Sequence, residues 1–247
     1  MQACPKSLRI AAALAAVFAA PSARADVRLH ALFSDNMVLQ QGVPAPVWGW
    51  AGEGETVSVS IQGVSATAKA IDGKWMAKLP PLQAGGPFEM TIEGKNKIVV
   101  GNVLVGEVWL CGGQSNMVWP VSNTLDSGQA IAQSANPNIR LFKTPQSGAD
   151  EPQDNVEASW SECGPETVGS FSAVGYYFGQ ALQQARNTPV GLIQSCVGGT
   201  NVSSWIERSI METTPEFRHY IEEYEKSLAA HPQALKAFEA RKKEHQE

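Results

Sequence analysis

The apolar run over residues 103–110 is the feature that most constrains the fold of this chain. A nearly continuous apolar run is typical of a strand that is covered on both faces, as the strands of parallel sheets are. Gly112, Gly113 and Ser115 follow the run almost at once. The pattern predicts a buried strand that delivers the Ser115 hydroxyl to the edge of a sheet. A strand followed by an ordinary polar turn fits the same local residues.

The residues after Ser115 predict alternating helices and strands. The patterns indicate a helix at about 125–134, a strand at 139–142, a long polar loop over 144–168, a helix over 171–186 and a strand at 190–195. This order predicts an α/β fold, in which a parallel sheet carries helices on both faces. We expect a flavodoxin-like sheet with strand order 2-1-3, so that the first and third strands are neighbours and a ligand binds where they part.

Residues 26–104 show a different pattern, in which polar and apolar residues alternate over short stretches. The alternation is clearest at residues 56–61, and turn signals such as Asp72-Gly73 separate the stretches. Short strands with frequent turns predict a small antiparallel β-sandwich that precedes the α/β region. Trp48 and Trp50 fit the core of such a sandwich, and stacking on a sugar is the alternative.

Residues 1–25 have the features of a signal peptide. Lys6 and Arg9 precede an apolar stretch, and a small-x-small cleavage site ends at Ala25. We therefore expect a mature chain that begins at Asp26 and is periplasmic or secreted. The sequence contains no later apolar run long enough to span a membrane. Its net charge of −5 gives no electrostatic reason to expect nucleic acid as a partner.

The cysteines and histidines do not form a metal-binding pattern. Cys111, Cys163 and Cys196 follow the expected signal peptide without a Cys-x-x-Cys spacing, and the four histidines show no zinc spacing. Cys111 directly precedes the glycine pair, yet no histidine lies near it in sequence to activate its thiol. We interpret Cys111 as a buried structural residue, and the spacing of these residues predicts no zinc site.

The predicted topology places the Ser115 hydroxyl near Gly198 and Gly199, which follow the third strand. A nucleophilic serine needs a base to take its proton and N–H donors to stabilise the oxyanion that forms. The backbone N–H groups of Ser115 and of Gly199 or Gly198 are candidate donors, because glycine has no Cβ to block a close approach. A tight strand-to-helix turn is the alternative interpretation of the glycine pair.

Four blocks of sequence occur in order along the chain. They are residues 32–40 with 46–50, residues 113–117 (Gly-Gln-Ser-Asn-Met), residues 165–167 with 171–176, and residues 198–200 (Gly-Gly-Thr) followed by Trp205. Together they resemble the sialate O-acetylesterase family, a branch of the SGNH (GDSL-like) hydrolases. The resemblance implies a β-sandwich over 26–104 and the N-terminal part of an SGNH hydrolase domain, with a partial parallel sheet, over 105–214.

The same resemblance implies a carbohydrate O-acetylesterase. Ser115 would attack the acetyl carbonyl of an O-acetylated sugar or polysaccharide, and water would then hydrolyse the acetyl-serine. The N–H groups of Ser115 and Gly199 would hold the oxyanion. Gln114 and Asn116 would contact the substrate. The implied reaction needs no metal or cofactor.

The chain departs from this family where the base and a third oxyanion donor are expected. Family members carry a later block that supplies the donor and an Asp-x-x-His pair near the C-terminus, yet no aspartate follows Asp154. His219 is the nearest counterpart, but it lies in the charged helical segment 215–247, too early in the fold. We expect that segment to be truncated and the chain by itself to have weak or no activity. A non-catalytic carbohydrate-binding remnant or an inactive fragment is the alternative.

Overall fold

The computed structural model describes residues 26–146, 148–149 and 151–244, so the expected signal peptide lies outside the described residues. The strands are β1 (Arg28–Leu29), β2 (Val38–Gln40), β3 (Ala45–Trp50), β4 (Thr56–Ile61), β5 (Val64–Lys69), β6 (Lys74–Leu79), β7 (Gly85–Glu93), β8 (Lys97–Gly113), β9 (Asn136–Lys143), β10 (Trp160–Cys163) and β11 (Val190–Cys196). The α-helices are α1 (Ser115–Val118), α2 (Ser127–Ala132), α3 (Pro165–Val168), α4 (Ala173–Arg186), α5 (Arg208–Thr213) and α6 (Arg218–Glu244).

The strands before residue 97 are antiparallel to the strands with which they pair, except for β2. β1, β3 and β6 form a small three-stranded sheet, while β4, β5 and β7 belong to a larger one. Every second residue of β4 and β6 is buried, which is the pattern of a strand with one face on the core. Val47, Val57, Trp75 and Ile92 meet in that core with at most 3% of their surface exposed. The alternating pattern at residues 56–61 therefore predicted β4 correctly.

The long strand β8 joins the antiparallel region to the parallel one. It pairs antiparallel with β7 over residues 97–105, and parallel with β11 over residues 107–113. β2 also pairs with it in parallel, at residues 104–106. One mixed sheet of eight strands results, in which the predicted domain boundary at 104/105 falls inside a continuous strand.

The predicted strand order 2-1-3 is wrong. The three predicted strands correspond to β8, β9 and β11, and the observed order is β9-β11-β8, with the third strand in the centre. Val190 and Leu192 of this central strand are fully buried, and the strand is hydrogen-bonded to a parallel neighbour on each edge. In β8, by contrast, Trp109 and Leu110 are 43% and 69% exposed. The predicted neighbourhood of the first and third strands is nonetheless observed.

The two faces of the parallel strands are covered by different structures. α4 packs on one face, where Gly179 lies close enough to Leu192 that an added Cβ would meet its side chain at 2.6 Å. Ser172 caps this helix, since its hydroxyl accepts a hydrogen bond from the Gly175 N–H at 3.1 Å. On the other face, Phe142 and Trp160 join the core of the antiparallel region. In the described part, strands rather than helices thus cover this second face.

Two further predictions about local structure are wrong. The expected loop over 144–168 contains β10, which pairs antiparallel with β9, and α3. A proline inside a helical pattern predicts that the helix ends there, yet α6 spans 27 residues and continues through Pro232. A proline removes a single helical hydrogen bond, and here it lies on an exposed helix where water solvates the freed carbonyl. Among the described residues, no helix is both long and apolar enough to cross a membrane.

Candidate active site

The carboxyl ends of β8 and β11 lie side by side, and the candidate site is built on them. Cys196 is the register partner of Gly113, and the Val197 N–H donates a hydrogen bond to the Gly113 carbonyl at 3.0 Å. A Cβ added to Gly198 would lie 3.7 Å from the Ser115 Oγ. The structure therefore brings the Ser115 hydroxyl and the glycine pair to one edge of the sheet.

Ser115 is the first residue of α1, and Gln114 caps this helix. The Gln114 Oε1 accepts a hydrogen bond from the Ser115 N–H at 3.0 Å and another from the Ser115 hydroxyl at 2.8 Å. Ser115, Gln114 and Asn116 are all exposed, so a ligand can reach each of them. A carboxamide oxygen is not a base at neutral pH, and in this arrangement it covers one of the two predicted oxyanion donors.

The turn after β11 leaves open space at Gly199. Its φ is +81°, a left-handed conformation that favours glycine, and no heavy atom lies within 4 Å of an added Cβ. Thr200 closes the turn, because its hydroxyl donates to the Val197 carbonyl at 2.8 Å and accepts from the Trp205 indole N–H at 3.0 Å. Gly199 is thus exposed, and a neighbouring side chain holds the turn in place.

A cavity of about 590 Å³ opens between the two strand ends. This volume lies within the range of roughly 300–1,000 Å³ that small-molecule sites occupy. It is lined by Gly112, Gly113, Gln114, Thr200, Asn201, Val202 and Trp205. The sequence motifs included Thr200 and Trp205 but did not single out Asn201 and Val202. Their position directly after the glycine block, at a strand end, is the signal that could have found them.

The Cys111 thiol is not suited to act as a nucleophile. Cys111 is 5% exposed, and a Cβ added to Gly175 of α4 would lie 3.0 Å from its Sγ. Burial raises the pKa of Cys111 to about 11, with a smaller contribution from nearby Cys196. The thiol is therefore protonated at neutral pH, as expected of a structural cysteine.

The structure does not bring His219 into hydrogen-bonding contact with Ser115. His219 is exposed on α6, where its ring packs against Tyr220 with centroids 3.9 Å apart. The partner of the Ser115 hydroxyl in the described chain is Gln114. The part of the chain that the structure describes also contains no group of three His, Cys, Asp or Glu side chains placed to hold a metal ion.

Residues 105–238 match the family described as carbohydrate esterase, sialic acid-specific acetylesterase. The chain belongs to this carbohydrate esterase family. The match runs from β8 into α6, so it includes both strand ends and the cavity between them.

This member of the carbohydrate esterase family is similar in sequence to mammalian sialate O-acetylesterases. The sialate O-acetylesterase of Rattus norvegicus is 34% identical over 205 residues, and that of Homo sapiens is 32% identical over 206 residues. Each alignment covers 74% of this chain, but the chain spans 38% of the rat protein and 39% of the human one.

A solved structure supports the fold. XAC1771, a novel carbohydrate acetylesterase from Xanthomonas citri, is 37% identical with a TM-score of 0.72, and the alignment covers 76% of this chain and 44% of that one.

Proposed function

We propose that this chain is a carbohydrate O-acetylesterase that uses Ser115 as its nucleophile. The observation that carries the proposal is the position of the Ser115 Oγ, 3.7 Å from an added Cβ on Gly198 and at the edge where β8 and β11 end. Membership of a carbohydrate esterase family supports the reaction class. The proposed substrate is an O-acetylated sugar or polysaccharide unit, met after export to the periplasm or the medium.

In the proposed reaction the Ser115 oxygen attacks the acetyl carbonyl and the sugar hydroxyl leaves. The N–H groups of Ser115 and Gly199 stabilise the oxyanion of the tetrahedral intermediate, and water then hydrolyses the acetyl-serine. One such donor contributes roughly 10²–10³ in rate in other hydrolases. Because the Gln114 carboxamide covers the Ser115 N–H, the incoming acetyl oxygen has to displace it, which makes Gln114 a group that meets the substrate. Asn116, exposed beside it, is the second proposed substrate contact.

The proton of the Ser115 hydroxyl requires a base, and Gln114 does not supply one. Without a base, catalysis rests on oxyanion stabilisation and binding, which in serine proteases leaves roughly 10³–10⁴ over the reaction in water. We therefore expect the chain by itself to hydrolyse acetyl esters slowly. The same arrangement favours the second candidate, a carbohydrate-binding protein without turnover, because a carboxamide rather than a base contacts the Ser115 hydroxyl.

Acetate release separates the two candidates. The substrates are O-acetylated xylan and O-acetylated sialic acid. The proteins are the wild type, Ser115→Ala and the control Ser122→Ala, which removes another exposed hydroxyl. Turnover that survives in Ser122→Ala and is lost in Ser115→Ala supports the esterase. Turnover that is equal in all three proteins overturns the role of Ser115. Binding of an acetylated sugar with no acetate release from any of them favours the binding protein.

A further inference from the structure

Two tryptophans lie side by side on the outer face of the three-stranded sheet, away from Ser115. Trp48 and Trp50 are two residues apart on the central strand β3, so their side chains lie on the same face of the sheet. Both are partly exposed. The opposite face of the same sheet is the apolar core, where Val47 and Trp75 are almost fully buried. The solvated face of an antiparallel sheet usually carries polar residues, so two adjacent large rings there require an explanation.

The core accounts for part of this placement. Trp48 packs edge-on against Phe33, with centroids 4.5 Å apart, and contributes to the core from its border. Trp50 differs, because its neighbours are polar: the Arg28 guanidinium lies 5.5 Å from its ring centroid and the His30 ring stacks on it at 6.4 Å. The ring of Trp50 is thus held in place by partners that leave it at the surface.

A groove of about 480 Å³ runs along these rings. Exposed apolar side chains extend it, since Ile71 is 67% exposed and Met76, the register partner of Trp48, is 52% exposed. At its rim the Lys74 ammonium and the Asp154 carboxylate form an ion pair at 2.8 Å. Aromatic faces with charged groups at the border are the composition of a ligand site rather than of an ordinary sheet surface.

We propose that this tryptophan groove binds a pyranose unit of a glycan, at a site separate from the strand ends that carry Ser115. The C–H bonds on the flat face of a pyranose ring pack against the negative face of an aromatic ring. The hydroxyls around the same ring both donate and accept hydrogen bonds. Lys69 and Lys74 offer donors and Asp154 offers acceptors at the groove, so its lining can pair with both the hydrogens and the oxygens of sugar hydroxyls.

The choice of a sugar as the occupant rests on membership of the carbohydrate esterase family and not on catalysis by Ser115. The groove would hold one unit of a polysaccharide while a different unit reaches the candidate active site. A neutral glycan and an acidic one share the pyranose chemistry, so the experiment includes both.

Native gel electrophoresis through xylan, a neutral polysaccharide, or through polysialic acid, an anionic one, tests the proposal. Using the Ser115→Ala protein throughout keeps binding independent of turnover. We expect at least one polysaccharide to retard this protein, and Trp50→Ala to weaken the affinity about tenfold, as the loss of a central tryptophan does in other interfaces. Trp109→Ala is the matched control, because it removes an exposed ring elsewhere and should leave retardation unchanged.

Met76→Glu guards against a folding defect in Trp50→Ala. The Met76 side chain is half exposed, so the Met76→Glu variant should fold. A sugar bound beside Trp48 would have to remove water from the new carboxylate, which should weaken binding about tenfold. The proposal is overturned if neither polysaccharide retards the protein, or if folded Met76→Glu binds as tightly as its parent. Either result leaves the Ser115 proposal untouched, since that proposal is decided by acetate release.

Discussion

Replacing Arg140 by Met should destabilise the fold by about 2–3 kcal/mol, although Arg140 has no part in the proposed chemistry. Arg140 is 2% exposed in β9, and its guanidinium connects three segments of the chain. It donates to the Asn36 Oδ1 at 3.3 Å and to the Asn102 Oδ1 at 3.2 Å, and it pairs with the Glu162 Oε1 at 3.2 Å. Its Nε also donates to the Pro137 carbonyl at 2.9 Å.

The magnitude follows from what each partner loses. Methionine keeps the apolar stem in place, so the loss of packing is small. The acceptors on Asn36 and Asn102 are half-buried, and each lost hydrogen bond costs about 1 kcal/mol, near the lower end for a buried acceptor. The Glu162 side chain is 50% exposed and can be hydrated, so it adds well under the several kcal/mol that a stranded buried charge costs.

Urea unfolding followed by tryptophan fluorescence measures this loss. Arg186→Met is the matched control, because Arg186 is exposed at the end of α4 and should change stability by less than about 0.5 kcal/mol. Glu162→Gln should cost less than about 1 kcal/mol, as expected of a pair with one solvated partner. A loss below about 1 kcal/mol for Arg140→Met, with an unchanged denaturant slope, would refute the reasoning.

Two further predictions concern the packing around β8 and a buried carboxylate. Gly106→Ala should lower the melting temperature by several degrees, since the added Cβ would overlap the Pro189 carbonyl oxygen. Gly128→Ala is the control, because its Cβ meets open space and should leave the melting temperature unchanged. Equal melting temperatures for the two variants would contradict this reasoning. The Lys95 backbone N–H, which donates to Glu55 at 2.7 Å, lowers the pKa of that carboxyl. The ionised Glu55 carboxylate therefore stabilises the folded protein above the ordinary carboxyl pKa. This contribution is lost as the pH falls through the pKa of Glu55 in the folded protein. Glu55→Gln should therefore be less stable than the wild type at neutral pH, and the two melting curves should converge in acid; a constant difference would contradict the assignment.

Much of the geometry of the candidate site was predictable from the sequence, because it depends on the pattern of residues that are close together in the chain. An apolar run that ends in glycines predicts a strand end, and parallel strands bring their carboxyl ends to one edge, which is where Ser115 and Gly198 meet. The strand order was not predictable in the same way. An apolar run indicates that a strand is buried, but it does not indicate which strands pair with it. The run in β8 is apolar because its first half lies in the core of the antiparallel region.

Long-range contacts account for the other failures. The loop over 144–168 contains β10 because Trp160 anchors it, donating its indole N–H to the Leu32 carbonyl at 2.9 Å, 128 residues away in sequence. The role of Arg140 depends on partners from three segments and has no local signature. The Gln114 contact with Ser115 is local, but it depends on the rotamer of Gln114, which the motif does not specify.

The continuity of β8 has a consequence for how this architecture can change in evolution. Recombination between related genes usually preserves function when the crossover falls in a linker, where few contacts are broken. Here the crossing segment is a 17-residue strand whose backbone is hydrogen-bonded to β7, β2 and β11 in turn. A foreign β-region could replace the present one only if it brought its own version of this strand in the same register. We therefore expect the β-region and the strand end that presents Ser115 to be exchanged only as a unit.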